Sequence, residues 1–192
     1  DMQYTKRDWR NRNKIQTEHG LKWLSIPVEV KGKYFQKINE TVISEKDWAK
    51  NHWETLKHCY SKSKYFSEYK DSFENLYLNM NTIYLSEINY KFITLINKIL
   101  SIDTKISLST DFELIEGKTE KILHICKQAN ASSYYSGPAA KGYFDEDLSK
   151  KMGIEIIWFD YSNYIEYNQI YNPFEHGVSI IDLIFNEGPN AK

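Results

Sequence analysis

Apolar and polar positions alternate with period two from Leu21 to Val30. Leu24, Ile26, Val28 and Val30 fall on one side, and Trp23, Ser25, Pro27 and Glu29 on the other, which predicts a half-buried strand. Pro27 has no N–H for a ladder bond, so an edge or bulge is expected there. Lys31-Gly32-Lys33 reads as a turn, and Lys37 to Ile43 as a second short strand. Ser44 followed by Asp47 resembles a capping box. It predicts a helix with Trp48, His52, Leu56 and Cys59 on one face. A second helix is expected from about Lys64 to Leu78, with Phe66, Tyr69, Phe73, Leu76 and Tyr77 on its stripe. A third is expected from about Tyr84 to Leu100, with Leu85, Ile88, Phe92, Leu95, Ile96 and Ile99 inward. These three form a helical block at about 44–100.

The spacing then changes. Thr104 to Thr110 reads as a short strand and Lys118 to Ala129 as a helix. Ser132 to Tyr135 is a strand ending in Ser136-Gly137-Pro138. A helix from about Ala139 to Met152 follows, stopped by Gly153. Ile154 to Tyr161 is an apolar strand, and a last helix lies in YNPFEHGVSIIDLIFNEGP, Tyr171 to Pro189. Strand and helix alternation over this half predicts parallel βαβ units. The expected fold is therefore α/β: a central, mostly parallel sheet with flanking helices, the helical block inserted, and residues 1–192 forming one domain. Asp1 to Gly20 is polar and basic and reads as a loop.

Composition narrows the class. Of 192 residues, 41% are hydrophobic and 15% aromatic, with only 4 prolines and 8 glycines, which predicts a packed globule. The net charge of −1 excludes a strongly basic nucleic-acid binder. From Asp1 to Lys37, however, nine basic residues face four acidic ones, a local patch suited to a phosphate or carboxylate or simply a solvated face. Cys59 and Cys126 lie far apart on helical patterns and read as buried free thiols in a reducing compartment. No apolar run is long enough to span a membrane, and no signal peptide is visible.

Three stretches carry candidate chemistry. In the last one, Glu175 falls where negative charge suits a helix dipole, His176 is a candidate general base, and Gly177 admits a ligand to the helix start. Asp182 helps only if the fold returns it to His176. An ordinary helix start explains the same residues. In SGPAAKGY, Ser136 and Gly137 form a turn that can cradle an anion, with Lys141 in the expected first helical turn, where only an anion relieves its charge. A plain strand–turn–helix connection is the alternative. In RDWRNRNKI, Arg7 to Ile15, Arg10 and Arg12 can fork onto a diphosphate or carboxylate, and Asn11 and Asn13 can bond a sugar or base edge. HExxH, GxSxG, GxGxxG and the P-loop spacing are absent, and His52, His58 and His124 form no ligand set, so no metal site is expected.

The segments QYTKRDWRNRNKI, LKWLSIPV, KINE, LSEINY, KTEKILHICKQ, SYYSGPAAKGYFDEDL, GIEIIWFDY and PFEHGVSIIDLIFNEGP, in this order, closely resemble the WbqC-like family over nearly the whole chain. That resemblance implies a bacterial, cytoplasmic protein that accompanies O-antigen and other surface-polysaccharide genes. Family members begin with an apolar strand and a Gln-Pro-aromatic stretch, similar to the opening of nucleotidyltransferase-type folds. This chain begins after that part, so the expected sheet lacks its first family strand and exposes an edge. The resemblance gives weight to Arg10, Arg12, Asn13, Ser136, Gly137, Lys141, Glu175 and His176, and the cofactor stays unknown at this point.

The leading expectation is a transferase acting on a nucleotide-linked sugar for surface polysaccharide, by N-acyl or aminoacyl transfer. His176 would be the base, with Glu175 or Asp182 orienting it. Arg10, Arg12 and Lys141 would hold the diphosphate or an acyl carrier's phosphate, with Ser136 and Gly137 as further donors. A non-catalytic binding or assembly protein of the same pathway is one rival, and a nucleotidyltransferase-like enzyme is another.

Overall fold

The basic stretch read as a loop folds as a strand. Arg12–Thr17 (β1) pairs antiparallel with Gly20–Ser25 (β2), with Arg12 opposite Ser25 and Thr17 opposite Gly20. Glu18 and His19 form the turn, and Gly20 at φ +98° takes the conformation other residues disfavour. The computed structural model describes residues 2–6 and 9–192. Asp1, Arg7 and Asp8 lie outside the described residues, and with them one arginine of the basic stretch. Two compact units are present, Asp1–Thr104 with Glu166–Lys192, and Lys105–Ile165.

The first unit holds the three expected helices, Trp48–Tyr60 (α1), Phe66–Leu78 (α2) and Leu85–Ile99 (α3). Trp48, Leu56, Cys59, Phe66, Phe73, Tyr77, Leu85 and Ile88 are buried, as the 3.6-residue spacing predicts. The capping box does not form: Asp47 precedes α1 without a side-chain bond, and Ser44 N–H instead donates to Pro27 O at 2.9 Å. The last helix is Ile180–Glu187 (α6), and it carries Phe185 into the core. There the Phe185 ring lies 5.6 Å from Tyr60, 5.0 Å from Phe66 and 5.3 Å from Phe73. Burying such a ring stabilises the unit by about 1.5–3 kcal/mol.

In the second unit, Lys118–Gln128 (α4) and Glu146–Lys151 (α5) accompany Ser133–Ser136 (β3) and Glu155–Trp158 (β4). β3 and β4 pair in parallel, joined through α5, so this segment is the expected βαβ unit. Leu123, Cys126, Phe144 and Ile154 form its buried core. Asp145 caps α5 by accepting Leu148 N–H at 2.9 Å, and Gly153 at φ +65° ends it. The single helix expected from Ala139 to Met152 is thus two pieces, with a 3-10 turn at Pro138–Gly142 first.

The architecture is mixed α/β. Among the described residues there are six α-helices and two two-stranded sheets, one antiparallel and one parallel, in place of the expected central parallel sheet. The reasons are local. β2 ends before Pro27, and beyond it Val28 makes a single bridge to Ile43. Ile38–Glu40 is a 3-10 turn, not a strand. Residues 104–108 stand exposed and pair with no strand among the described residues, and Ser109–Asp111 turns as 3-10 helix. No helix among the described residues is long and apolar enough to cross a membrane.

Candidate functional site

β1 fixes the first part of the site. Ahead of it, Trp9–Asn11 form a 3-10 turn, and Asn11 is locked to Ile26 from both sides. Ile26 N–H donates to Asn11 O at 2.7 Å, and Asn11 Nδ2 donates to Ile26 O at 2.9 Å. Asn89 of α3 holds the Arg10 carbonyl at 3.0 Å. On the hairpin, the Arg12 guanidinium lies 4.1 Å from the Trp23 ring centroid and Lys14 Nζ lies 5.2 Å from it. These contacts hold the cationic stretch in one conformation.

The start of α6 is brought to the same place. Ser179 N–H donates to Lys14 O at 2.8 Å, and the Ser179 side chain caps the helix at Ile181 N. A cavity of about 290 Å³ lies between these parts, within the first unit. Arg10, Arg12, Asn13 and the helix start from Ser179 to Ile181 border it, and Ile15, Leu24, Ile26 and Leu56 line it with apolar surface. Trp48, Tyr77 and Phe92 add aromatic surface. The candidate residues of the basic stretch, Arg10, Arg12 and Asn13, therefore border one cavity.

His52, which the sequence reading set aside, also lines this cavity. Its Nε2 lies 3.0 Å from Ser25 O. A carbonyl only accepts, so Nε2 carries the proton and Nδ1 is the basic nitrogen. Burial holds this imidazole below its ordinary pKa, opposed by the Ser25 bond and helped by the charge of Lys22.

Glu175 and His176 are not at a helix start. α6 begins at Ile180, and the pair lies in the preceding turn segment, Glu175 half-buried and His176 exposed. Ser179 wins the cap because its hydroxyl reaches Ile181 N–H, which Glu175 lies too far upstream to do. The His176 ring packs edge-on against Phe174 at 4.7 Å. Neither Glu175 nor His176 lines the cavity that Arg10 and Arg12 border. The Gln169 side chain clamps the Glu175 backbone, accepting its N–H at 2.8 Å and donating to its carbonyl at 3.0 Å.

Gln169 also reaches Asp182 Oδ1 at 3.1 Å. Asp182 is 1% exposed. Tyr167 Oη donates to its Oδ1 at 2.7 Å, Asn186 Nδ2 at 3.2 Å, and Tyr60 Oη donates to Oδ2 at 2.7 Å. Four donors thus fill this carboxylate, and no hydrogen bond among the described residues joins it to His176. Desolvation, reinforced by the adjacent carboxylate, raises the pKa of both Tyr60 and Tyr167.

Ser136, Gly137 and Lys141 belong to the second unit. Ser136 is buried at the end of β3, and its carbonyl accepts Phe159 N–H at 2.9 Å. Lys141 stands in the last turn of the 3-10 segment, so no α-helix start opposes its charge, and its Nζ lies 5.6 Å from the Trp158 ring centroid. Asp160, exposed nearby, is held below the usual carboxyl range by bonds from Ser162, with a smaller effect of Lys141. Both cysteines are free and buried, and burial raises their thiol pKa values, which disfavours nucleophilic thiolates. A second depression of about 420 Å³ lies beside the hairpin turn, lined by Glu18, His19, Lys22, His58 and Tyr171, and contains none of the expected site residues.

The model of the WbqC-like protein family matches residues 1–192. A protein of Mycobacterium tuberculosis (strain ATCC 25618 / H37Rv) described as uncharacterized protein Rv1507c is 47% identical over 191 residues, which is 100% of this chain and 83% of that protein. No solved structure matches the chain significantly. A match that runs from the first residue to the last places the cavity-forming segments and both units inside one family pattern, and the chain belongs to the WbqC-like protein family.

Proposed function

We propose that this protein is a cytoplasmic transferase that N-acylates a nucleotide-linked amino sugar for a surface polysaccharide. The observation that carries the reading is the apolar cavity bordered by Arg10, Arg12 and Asn13. It joins forked donors suited to the phosphate of an activated substrate with apolar surface for the group it carries. In the reaction, the sugar amine nitrogen bonds to the carbonyl carbon of an acyl thioester. The carbon–sulfur bond breaks, and the proton shed by nitrogen travels through an imidazole to the departing thiolate.

His52 is the imidazole we assign to that proton, at Nδ1, because it lines the cavity and burial keeps it neutral. His176 was the expectation from sequence, but it is exposed and outside that lining. Asp182 serves in this reading as the anchor of α6, and Glu175 as part of the turn that Gln169 clamps. The test is a mass-spectrometric search for acylated sugar, with free thiol as the second product, over panels of nucleotide-linked amino sugars and acyl thioesters. Product is expected with the natural sequence and not with His52→Phe. Absence of product over both panels would replace the transferase by a binding or assembly protein.

A further inference from the structure

Trp9 lines the cavity and is nonetheless 74% exposed. Trp48 and Tyr77 line the same cavity at 3% and 5% exposure, packed into the core. The Trp9 indole therefore contributes little to packing, and what it offers is a flat aromatic face. The ring is also held in place. Trp9–Asn11 is one 3-10 turn, whose Arg10 carbonyl accepts from Asn89 Nδ2 at 3.0 Å and whose Asn11 is tied to Ile26 by two bonds. The Arg10 guanidinium lies 4.9 Å from the Trp9 ring centroid and covers one face of the indole. The exposure leaves the other face open to a planar group.

The groups beside this ring suit the other parts of a nucleotide. Arg10 and Arg12 border the cavity as forked cations for phosphates. Asn13 Oδ1 accepts Lys14 N–H at 2.8 Å, so its Nδ2 is the atom left to donate. Asn89 Nδ2 is engaged by the Arg10 carbonyl, so its Oδ1 is left to accept. A planar face, cations and one amide of each hydrogen-bonding sense match a base, its phosphates and the polar edges of base and ribose. A phosphate ligand without a base leaves the Trp9 face unused. A long nucleic-acid strand needs a cationic track that a chain of net charge −1 does not supply.

We propose that Trp9 is the stacking platform for the base of a nucleoside diphosphate whose phosphates lie against Arg10 and Arg12. The assignment rests on the transferase reading and deepens it, because it names the part of the substrate that each rim residue holds. A nucleotide-linked sugar and coenzyme A both carry this group, and the choice of probes tells the two sources apart.

UDP, dTDP, GDP, CDP, coenzyme A and inorganic pyrophosphate are titrated by calorimetry into the whole protein, Trp9→Ala and Trp9→Phe. The exposure of Trp9 means that neither variant disturbs the core, which circular dichroism checks. At least one base-bearing probe is expected to saturate one site, and to bind Trp9→Ala about tenfold more weakly but Trp9→Phe within about threefold. Pyrophosphate is expected to bind the natural protein and Trp9→Ala equally, about tenfold below that probe. Selection of coenzyme A would put the acyl donor's nucleotide on Trp9, and selection of a nucleoside diphosphate the sugar's; both uphold the platform. Equal affinity of the natural protein and Trp9→Ala for every probe, pyrophosphate binding as tight as any base-bearing probe, or no saturable binding would each overturn it. The sugar-acylation assay run in parallel separates the two claims. Product without Trp9-dependent binding sinks the base platform alone. Trp9-dependent binding without product leaves a nucleotide-binding site and sinks the transferase.

Discussion

The Tyr60 hydroxyl donates to Asp182 Oδ2 at 2.7 Å while accepting Gln16 N–H at 3.2 Å, so α1, α6 and β1 meet at one oxygen. Tyr60→Phe removes both bonds from a fully buried place. It leaves a carboxylate short of a donor and a strand N–H short of an acceptor. The expected cost is about 2–3 kcal/mol, read from urea unfolding. Tyr167→Phe should cost less, about 1 kcal/mol, because Gln169 and Asn186 still serve Asp182 Oδ1. A Tyr60→Phe cost no greater than that of Tyr167→Phe would remove Tyr60 from this role.

The same burial makes stability depend on pH at the alkaline end. Desolvation raises the pKa of Tyr60, Tyr77 and Tyr167 in the folded protein. Below the unfolded tyrosine value of about 10, both states are protonated and the stabilisation is fully present. Above it the unfolded chain loses protons that the folded chain keeps, so stability falls. Each tyrosine adds a slope of about 1.4 kcal/mol per pH unit. Unfolding free energies between pH 8 and 11 should be flat and then drop, and Tyr60→Phe should make the drop shallower. A flat profile throughout would mean these phenols are not buried.

His52 gives the opposite limb. Its folded pKa is lowered, chiefly by burial, so it contributes stability above the unfolded histidine value of about 6.5 that is lost as pH falls. The activity proposed here uses its neutral form, so the acid limb of the rate profile should lie below pH 6.5. His52→Phe keeps the ring between Trp48 and Tyr77 and removes the nitrogens. It should abolish transfer at a stability cost of about 1 kcal/mol, while His176→Ala leaves transfer within about threefold, a change of under 1 kcal/mol. The reverse outcome would return the base role to His176.

Two glycines separate packing from access. Gly188 ends α6 at φ +54°, and a Cβ there would lie 2.4 Å from Tyr65 Cγ. Gly188→Ala should destabilise by about 2–4 kcal/mol. At Gly177 nothing stands within 4 Å of an added Cβ. Gly177→Ala should stay within about 0.5 kcal/mol in unfolding and leave substrate affinity unchanged. A loss of affinity there would show that a ligand does approach this turn.

Legibility in the sequence followed the source of each element's stability. α1, α2, α3 and α4 are amphipathic in their own right, and their stripes gave them away. β1 is RNKIQT, with one apolar residue, and its order comes from pairing with β2 and from Ser179 and Tyr60, far along the chain. No local pattern carries that information. Arg10 and Arg12 stand out as cations beside the amide of Asn13, but the apolar cavity next to them is assembled from several distant elements. The sequence places α6 too early because Glu175 suits a helix start by its charge, whereas Ser179 is the cap by geometry. Asp182 looked like a catalytic carboxylate because its donor Tyr60 lies 122 positions away.

Cation placement is the link between the fold and the proposed chemistry. Trp23→Ala removes the ring that Arg12 covers at 4.1 Å. The expected result is a two- to fivefold loss of affinity for a phosphate-bearing ligand, the equivalent of about 0.5–1 kcal/mol, with unfolding little changed. No change in affinity would place Arg12 outside the binding site.

The most direct measurement is a calorimetric titration of the panel of nucleotide-linked amino sugars into the natural protein and Arg10→Ala. The account predicts one saturable site for at least one member, weakened about tenfold in Arg10→Ala through loss of a charge-assisted bond with the fold intact by circular dichroism. Equal binding by both proteins, or binding by neither, would contradict it.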